Sequence, residues 1–126
     1  MSVSDLIKNK LYERAKTVME KAYAPYSKFK VGAAIFDENG EYHVGCNIEN
    51  AAYPIGNCAE ASAISAMIAS NGNKIIAISI TGYGDLLCTP CGGCRQRIRE
   101  FASLNVPINV GNEKEIKKIF TLEELL

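Results

Sequence analysis

Residues 58–81 read CAEASAISAMIASNGNKIIAISIT. The first part, Cys58 to Ser70, is small or apolar on nearly every side and carries a single charge, Glu60. A helix of that kind is buried on most faces. Asn71-Gly72-Asn73 ends it. The isoleucine-rich run 75–81 that follows is a central strand. A buried helix feeding a buried strand is the repeating unit of a layered α/β domain.

The flanking sequence completes the layers. Upstream, Phe29, Val31, Ala33 and Ile35 alternate with their neighbours over 29–36, the period of a strand. Asp37-Glu38-Asn39-Gly40 contains the Asn-Gly hairpin signal, so a second strand over about 41–47 returns antiparallel. Residues 48–57 are loop. Ile7, Leu11, Ala15, Val18 and Ala22 mark one face of an amphipathic helix over 5–22, capped by Ser4 or Asp5 and stopped by Pro25. Downstream, Thr89 is an N-cap with Pro90 at the first helical position, and the helix runs to about Ala102. A short strand at 106–110, a short polar helix at 113–119 and a last turn at 122–126 finish the chain. The order α-β-β-α-β-α-β-α predicts a mixed sheet with helices on both faces.

At 126 residues the chain is one domain, 1–126. Fourteen basic residues balance fourteen acidic ones. A neutral chain is a poor match to nucleic-acid grip, which rests on neutralising phosphates, and to anionic membrane surfaces. No apolar run approaches the roughly 20 residues of a membrane span. The start, Met1-Ser2-Val3-Ser4-Asp5, lacks the basic end and apolar run of an export signal, which predicts a cytoplasmic protein.

Five cysteines, Cys46, Cys58, Cys88, Cys91 and Cys94, fit a reducing compartment better than a disulfide framework. Cys58 opens the buried helix, and Cys91-Gly92-Gly93-Cys94 opens the next. Helix N-termini favour anions and so thiolates. Three thiolates with one open position form a catalytic zinc arrangement. Glu60, two residues after Cys58, is placed to carry a proton without being a ligand. Other readings stand beside these. Cys88 added to the set gives a closed structural site, Cys-x-x-Cys alone also serves redox proteins, and Asn57-x-x-Glu60 has the form of a capping box. Cys46 and Cys88 read as small buried hydrophobes. Arg95, Arg97 and Arg99 read as a partly solvated helix face. The single histidine, His43, has no partner for nucleophilic catalysis in its surroundings.

Cys58-Ala59-Glu60 and Pro90-Cys91-Gly92-Gly93-Cys94 match the zinc deaminase signature. Ala24-Pro25-Tyr26-Ser27-Lys28-Phe29-Lys30-Val31-Gly32-Ala33-Ala34 and Gly45-Cys46-Asn47-Ile48-Glu49-Asn50-Ala51-Ala52-Tyr53 resemble motifs of the small cytidine deaminases. The resemblance covers roughly residues 10–125. It implies a three-layer α/β/α sandwich around a five-stranded mixed sheet. It implies one zinc per chain on Cys58, Cys91 and Cys94, with Glu60 as the proton shuttle. It further implies Asn47 and Glu49 on the ribose, Phe29 against the pyrimidine, Ala59 offering backbone to the base, and Tyr53 completing a neighbouring subunit's site in a homotetramer. The implied reaction is hydrolytic deamination of cytidine and deoxycytidine in pyrimidine salvage. A deaminase of a nucleoside-like antibiotic is the alternative on the same fold. Two positions depart from the family pattern. Alanine stands at position 61, where many members have an arginine that bonds a thiolate, and many members continue past the final Leu-Leu with a proline and a phenylalanine. With Ala61 in place, the remaining sources of positive charge for the thiolates are the two helix N-termini and Arg95, beside Cys94.

Overall fold

Helix α1 (Asp5–Met19) lies on one face of a five-stranded sheet, and α2 (Ala59–Ala69) and α3 (Gly92–Phe101) lie on the other. The structure is a computed structural model and describes residues 4–84 and 88–126. The strands β1 (Val31–Asp37), β2 (Tyr42–Cys46), β3 (Ile75–Gly82), β4 (Pro107–Gly111) and β5 (Ile116–Thr121) are ordered β2-β1-β3-β4-β5. Only β3 and β4 pair in parallel; the other three pairings are antiparallel. Because β1 runs antiparallel to both of its neighbours, β2 and β3 point the same way. Both β2-α2-β3 and β3-α3-β4 are therefore crossover units, as the sequence predicts. A final short helix, α4 (Leu122–Leu125), opens with a Thr121/Glu124 capping box.

The period of two along β1 builds both cores. Val31, Ala33 and Ile35 pack with Ala63, Met67, Ile98 and Leu122 on the α2/α3 side. Ala34 packs with Leu11, Ala15 and Ala77 on the α1 side. Glycine permits the two closest approaches. A Cβ at Gly32 would lie 2.1 Å from the Ala15 carbonyl oxygen of α1. One at Gly45 would lie 2.3 Å from the Ala63 nitrogen of α2.

Four expectations are corrected. Helix α1 stops at Met19, with a turn carrying the chain on to Pro25. Its inner face is Leu11, Tyr12, Ala15 and Met19; Val18 is only half-buried, because 3.6 residues per turn carries the stripe through position 19. Strand β1 begins at Val31, since Lys28 adopts φ 64° and turns the chain before Phe29. Cys91, not Thr89, is the N-cap of α3, with extended backbone at φ −68° and ψ 170°. Residues 113–119 are no helix. Asn112 Oδ1 accepts from the Lys114 and Glu115 nitrogens, forming a turn that returns the chain as β5 against β4. Ile116, Ile119 and Phe120 have helical spacing, but the free edge of β4 captures them, and Lys117 and Lys118 guard the new edge.

Candidate metal centre and binding cleft

The parallel strands β2 and β3 end on the same side of the sheet, at Cys46 and Gly82, and α2 and α3 start beyond them. Two helix N-termini therefore meet outside the carboxyl ends of the strands, the usual position of a site in an α/β sheet. Cys58 caps α2 and Cys91 caps α3, neither with a side-chain cap bond, so both sulfurs are left to face the crevice. Cys94 sits one turn into α3 and is fully buried. The three sulfurs lie within 4.8 Å of one another. Cys88 packs against the core and is not in this group; burial pushes its thiol up to about 12.

The donor set fits a zinc ion. Burial raises the Cys58 and Cys94 thiols, whereas N–H groups of Cys94 and Gly93 at the start of α3, the Cys94 N–H foremost, lower Cys91. Clustered thiols that burial disfavours as anions are what a divalent cation stabilises on binding. Tetrahedral zinc with sulfur at about 2.3 Å needs sulfurs slightly under 4 Å apart, a small contraction of the cluster.

Glu60 is 6% exposed in the first turn of α2. Burial raises its carboxyl, against the opposing influence of the Cys94 thiol and the Arg97 charge nearby. The capping-box reading does not hold: the N-cap is Cys58, and the Asn57 amide donates to Ser62 Oγ at 3.2 Å. Glu60 is thus a buried acid beside the sulfurs and not the partner of an Asn57 capping box.

Asn47, Glu49, Tyr53 and Cys58 line one cleft of about 410 Å³, together with Tyr26, Asn50 and Asn57. Asn47 Oδ1 accepts from Val31 N at 2.8 Å, and its Nδ2 donates to Phe29 O at 2.9 Å, so the side chain extends the ladder from the first residue of β1 to the segment before it. One N–H and one lone pair of the amide remain. Glu49 Oε1 accepts from the Tyr26 and Ser27 nitrogens at 3.0 and 3.1 Å. Hydrogen bonds from Ser27 hold its carboxyl below the usual range. Phe29 is half-exposed, and its ring tip lies 2.9 Å from where a Cβ on Gly82 would stand. Ala59 is buried against β2. Tyr53, in a 3-10 turn at Tyr53–Ile55, is 91% exposed. His43 is elsewhere, on β2, donating to Asp37 Oδ2 at 2.7 Å.

The arginines of α3 are not a uniform solvated face. Arg95 donates from Nε to Pro90 O at 2.8 Å and from Nη1 to Leu125 O at 2.6 Å, so the expectation that it serves the thiolates is corrected. Arg97, which the sequence places on a partly solvated helix face, donates from Nη1 to Cys94 Sγ at 3.6 Å. The i, i+3 spacing of Cys94 and Arg97 was the available signal.

The sequence model for the cytidine and deoxycytidylate deaminase zinc-binding region matches residues 7–109. A cytidine deaminase of Sporosarcina psychrophila is 39% identical over 117 residues, covering 93% of this chain and 86% of that protein. One from Mycoplasma pneumoniae is 39% identical over 118 residues, covering 92% and 88%. Among solved structures, the cytidine deaminase of Burkholderia pseudomallei superposes with a TM-score of 0.88 at 38% identity, covering 94% of each chain.

Proposed function

The chain belongs to the cytidine and deoxycytidylate deaminase family, and from that membership we propose that it hydrolyses cytidine and deoxycytidine to the uridines and ammonia in pyrimidine salvage, as a cytoplasmic enzyme. Cys58, Cys91 and Cys94 would hold one zinc per chain. When bound, zinc supplies the Lewis acidity that lets water give up a proton near neutral pH. The observation that carries the reading is the meeting of three sulfurs within 4.8 Å beside a buried carboxylate, at the end of a cleft lined by Asn47 and Glu49.

Glu60 takes one proton from the attacking water and delivers it to the ring nitrogen, then takes the second proton from the hydroxyl so added and delivers it to the departing amine. Its burial supports this role, because an acid raised toward neutrality both accepts and donates. Asn47 turns its free N–H and lone pair to a ribose hydroxyl, and Glu49 uses its second oxygen as an acceptor. Phe29 flanks the pyrimidine and the Ala59 backbone meets the base. Exposed Tyr53 and Ile48 leave an apolar rim on the cleft, which supports a homotetramer in which a second chain covers it.

Absorbance during incubation with cytidine, deoxycytidine and a cytosine-bearing antibiotic, with zinc measured on the same sample, tests the reading. Loss of the cytidine and deoxycytidine bands is the expected result. Consumption of the antibiotic alone would transfer the assignment to that substrate. In Glu60→Gln, turnover should fall by about 10²–10⁴-fold with zinc retained. Light scattering should report a tetramer.

A further inference from the structure

Three arginines alternate along α3, and their guanidinium groups go to different places. Arg95 holds Pro90 and Leu125 carbonyls, and Arg99 closes the helix end on Ala102 O at 3.1 Å. Arg97 folds back one turn onto the Cys94 sulfur. Gly93 borders it: a Cβ there would stand at ordinary contact distance, 3.4 Å from Arg97 Nη1 and 4.0 Å from Cys91 Sγ. The guanidinium therefore lies over the first turn of α3, bonded to one of the three sulfurs.

The site needs such a charge. Three thiolates and one Zn²⁺ leave a net negative charge in a crevice where Cys94 is fully buried. Helix α2 cannot offset it with a side chain, because its only ionisable residue is Glu60 and position 61 is a buried alanine. Partial charge at the two helix N-termini offsets part of it. We propose that Arg97 is the positioning residue that completes the balance: it donates to the Cys94 thiolate from behind, fixes that sulfur's orientation, and brings the centre near neutrality. The inference rests on the zinc reading of the cluster. A partner behind a ligand of this kind typically changes metal affinity by about 10–100-fold.

The test follows the metal directly. Zinc-loaded wild-type protein and the Arg97→Ala, Arg97→Lys and Arg99→Ala variants are challenged with a chromophoric zinc chelator. The cobalt-substituted forms are read by their thiolate-to-cobalt absorption bands. Arg97→Ala should release zinc at least about tenfold more readily and shift the bands. Arg97→Lys should recover part of both, and Arg99→Ala should match wild type. Since Arg97 is exposed, circular dichroism should be unchanged across the set. Wild-type zinc retention and cobalt bands in Arg97→Ala overturn the inference alone. A wild-type protein that takes up neither metal overturns the zinc reading beneath it.

Discussion

Replacing Gly45 by alanine should damage stability and turnover together, and the structure gives the size of the effect. The added Cβ would lie 2.3 Å from Ala63 N, 2.7 Å from Ala59 O and 2.7 Å from Ser62 Cβ, where ordinary contact begins at 3.4 Å. Two of these three atoms are backbone, so no rotamer change relieves the clash, and α2 must withdraw from β2 by about 1 Å. Overpacking of this kind costs about 1–3 kcal/mol. At about 4 °C per kcal/mol for a domain of this size, Tm should fall by about 4–12 °C. The helix that withdraws carries Cys58 and Glu60, and a displacement of about 1 Å at reacting groups costs about 10²-fold in rate. Gly40→Ala is the control. Gly40 has φ 78° and open space around it, so alanine there brings backbone strain of about 1–2 kcal/mol far from the cleft. Thermal melts and kcat/KM on both variants decide the matter. Gly45→Ala melting low but turning over like Gly40→Ala would refute the claim that seating α2 on β2 sets the site.

Three further outcomes follow from the geometry. Cys91→Ala should lose zinc and turnover together while Cys88→Ala keeps both, by metal analysis and absorbance assay; equal stripping by Cys88→Ala would mean a closed four-cysteine centre. Arg95→Ala, which frees the Pro90 and Leu125 carbonyls, should lower stability by about 1–3 kcal/mol in urea melts, with turnover nearer wild type than in the Arg97 variant. Asp37 is buried, which opposes its ionisation, but bonds from His43 and the Glu41 and Asn39 nitrogens prevail and hold its carboxyl low. A lowered carboxylate stabilises the fold above its unfolded value of about 3.9 and loses that effect as pH falls through the native value. The stability gap between wild type and Asp37→Asn should thus be full near neutrality and close in strong acid, as a urea-melt series across pH will record.

Strand β1, the Asn-Gly turn, α2 and β3 were legible in the sequence because local pattern and tertiary placement agree there. The alternation from Val31 to Ile35 is the same alternation that divides the two cores. Strand β5 was not legible. Its isoleucines satisfy a helical period as well as a strand, and the choice is made by β4, whose edge no local rule reads. At the site, the three cysteines and Glu60 were visible from spacing and helix starts. The division of labour among the α3 arginines was not, since Arg95 is drawn away by carbonyls at Pro90 and, from a remote part of the chain, Leu125. The pair of hydrogen bonds from Asn47 to the start of β1 was likewise hidden, because it needs the register of β1 against β2.

Cys58 and Cys91 are distant in sequence yet adjacent in space, and this gives the centre a topological consequence. Any ion gripped by both closes a loop of about 33 residues that contains α2 and β3, and it restricts the unfolded chain as a disulfide between those positions would. By the loop-entropy relation, a permanent cross-link of that length is worth about 3–4 kcal/mol, a large fraction of a small domain's stability. The centre is then a removable staple. Chelation would soften the polypeptide as well as silence it.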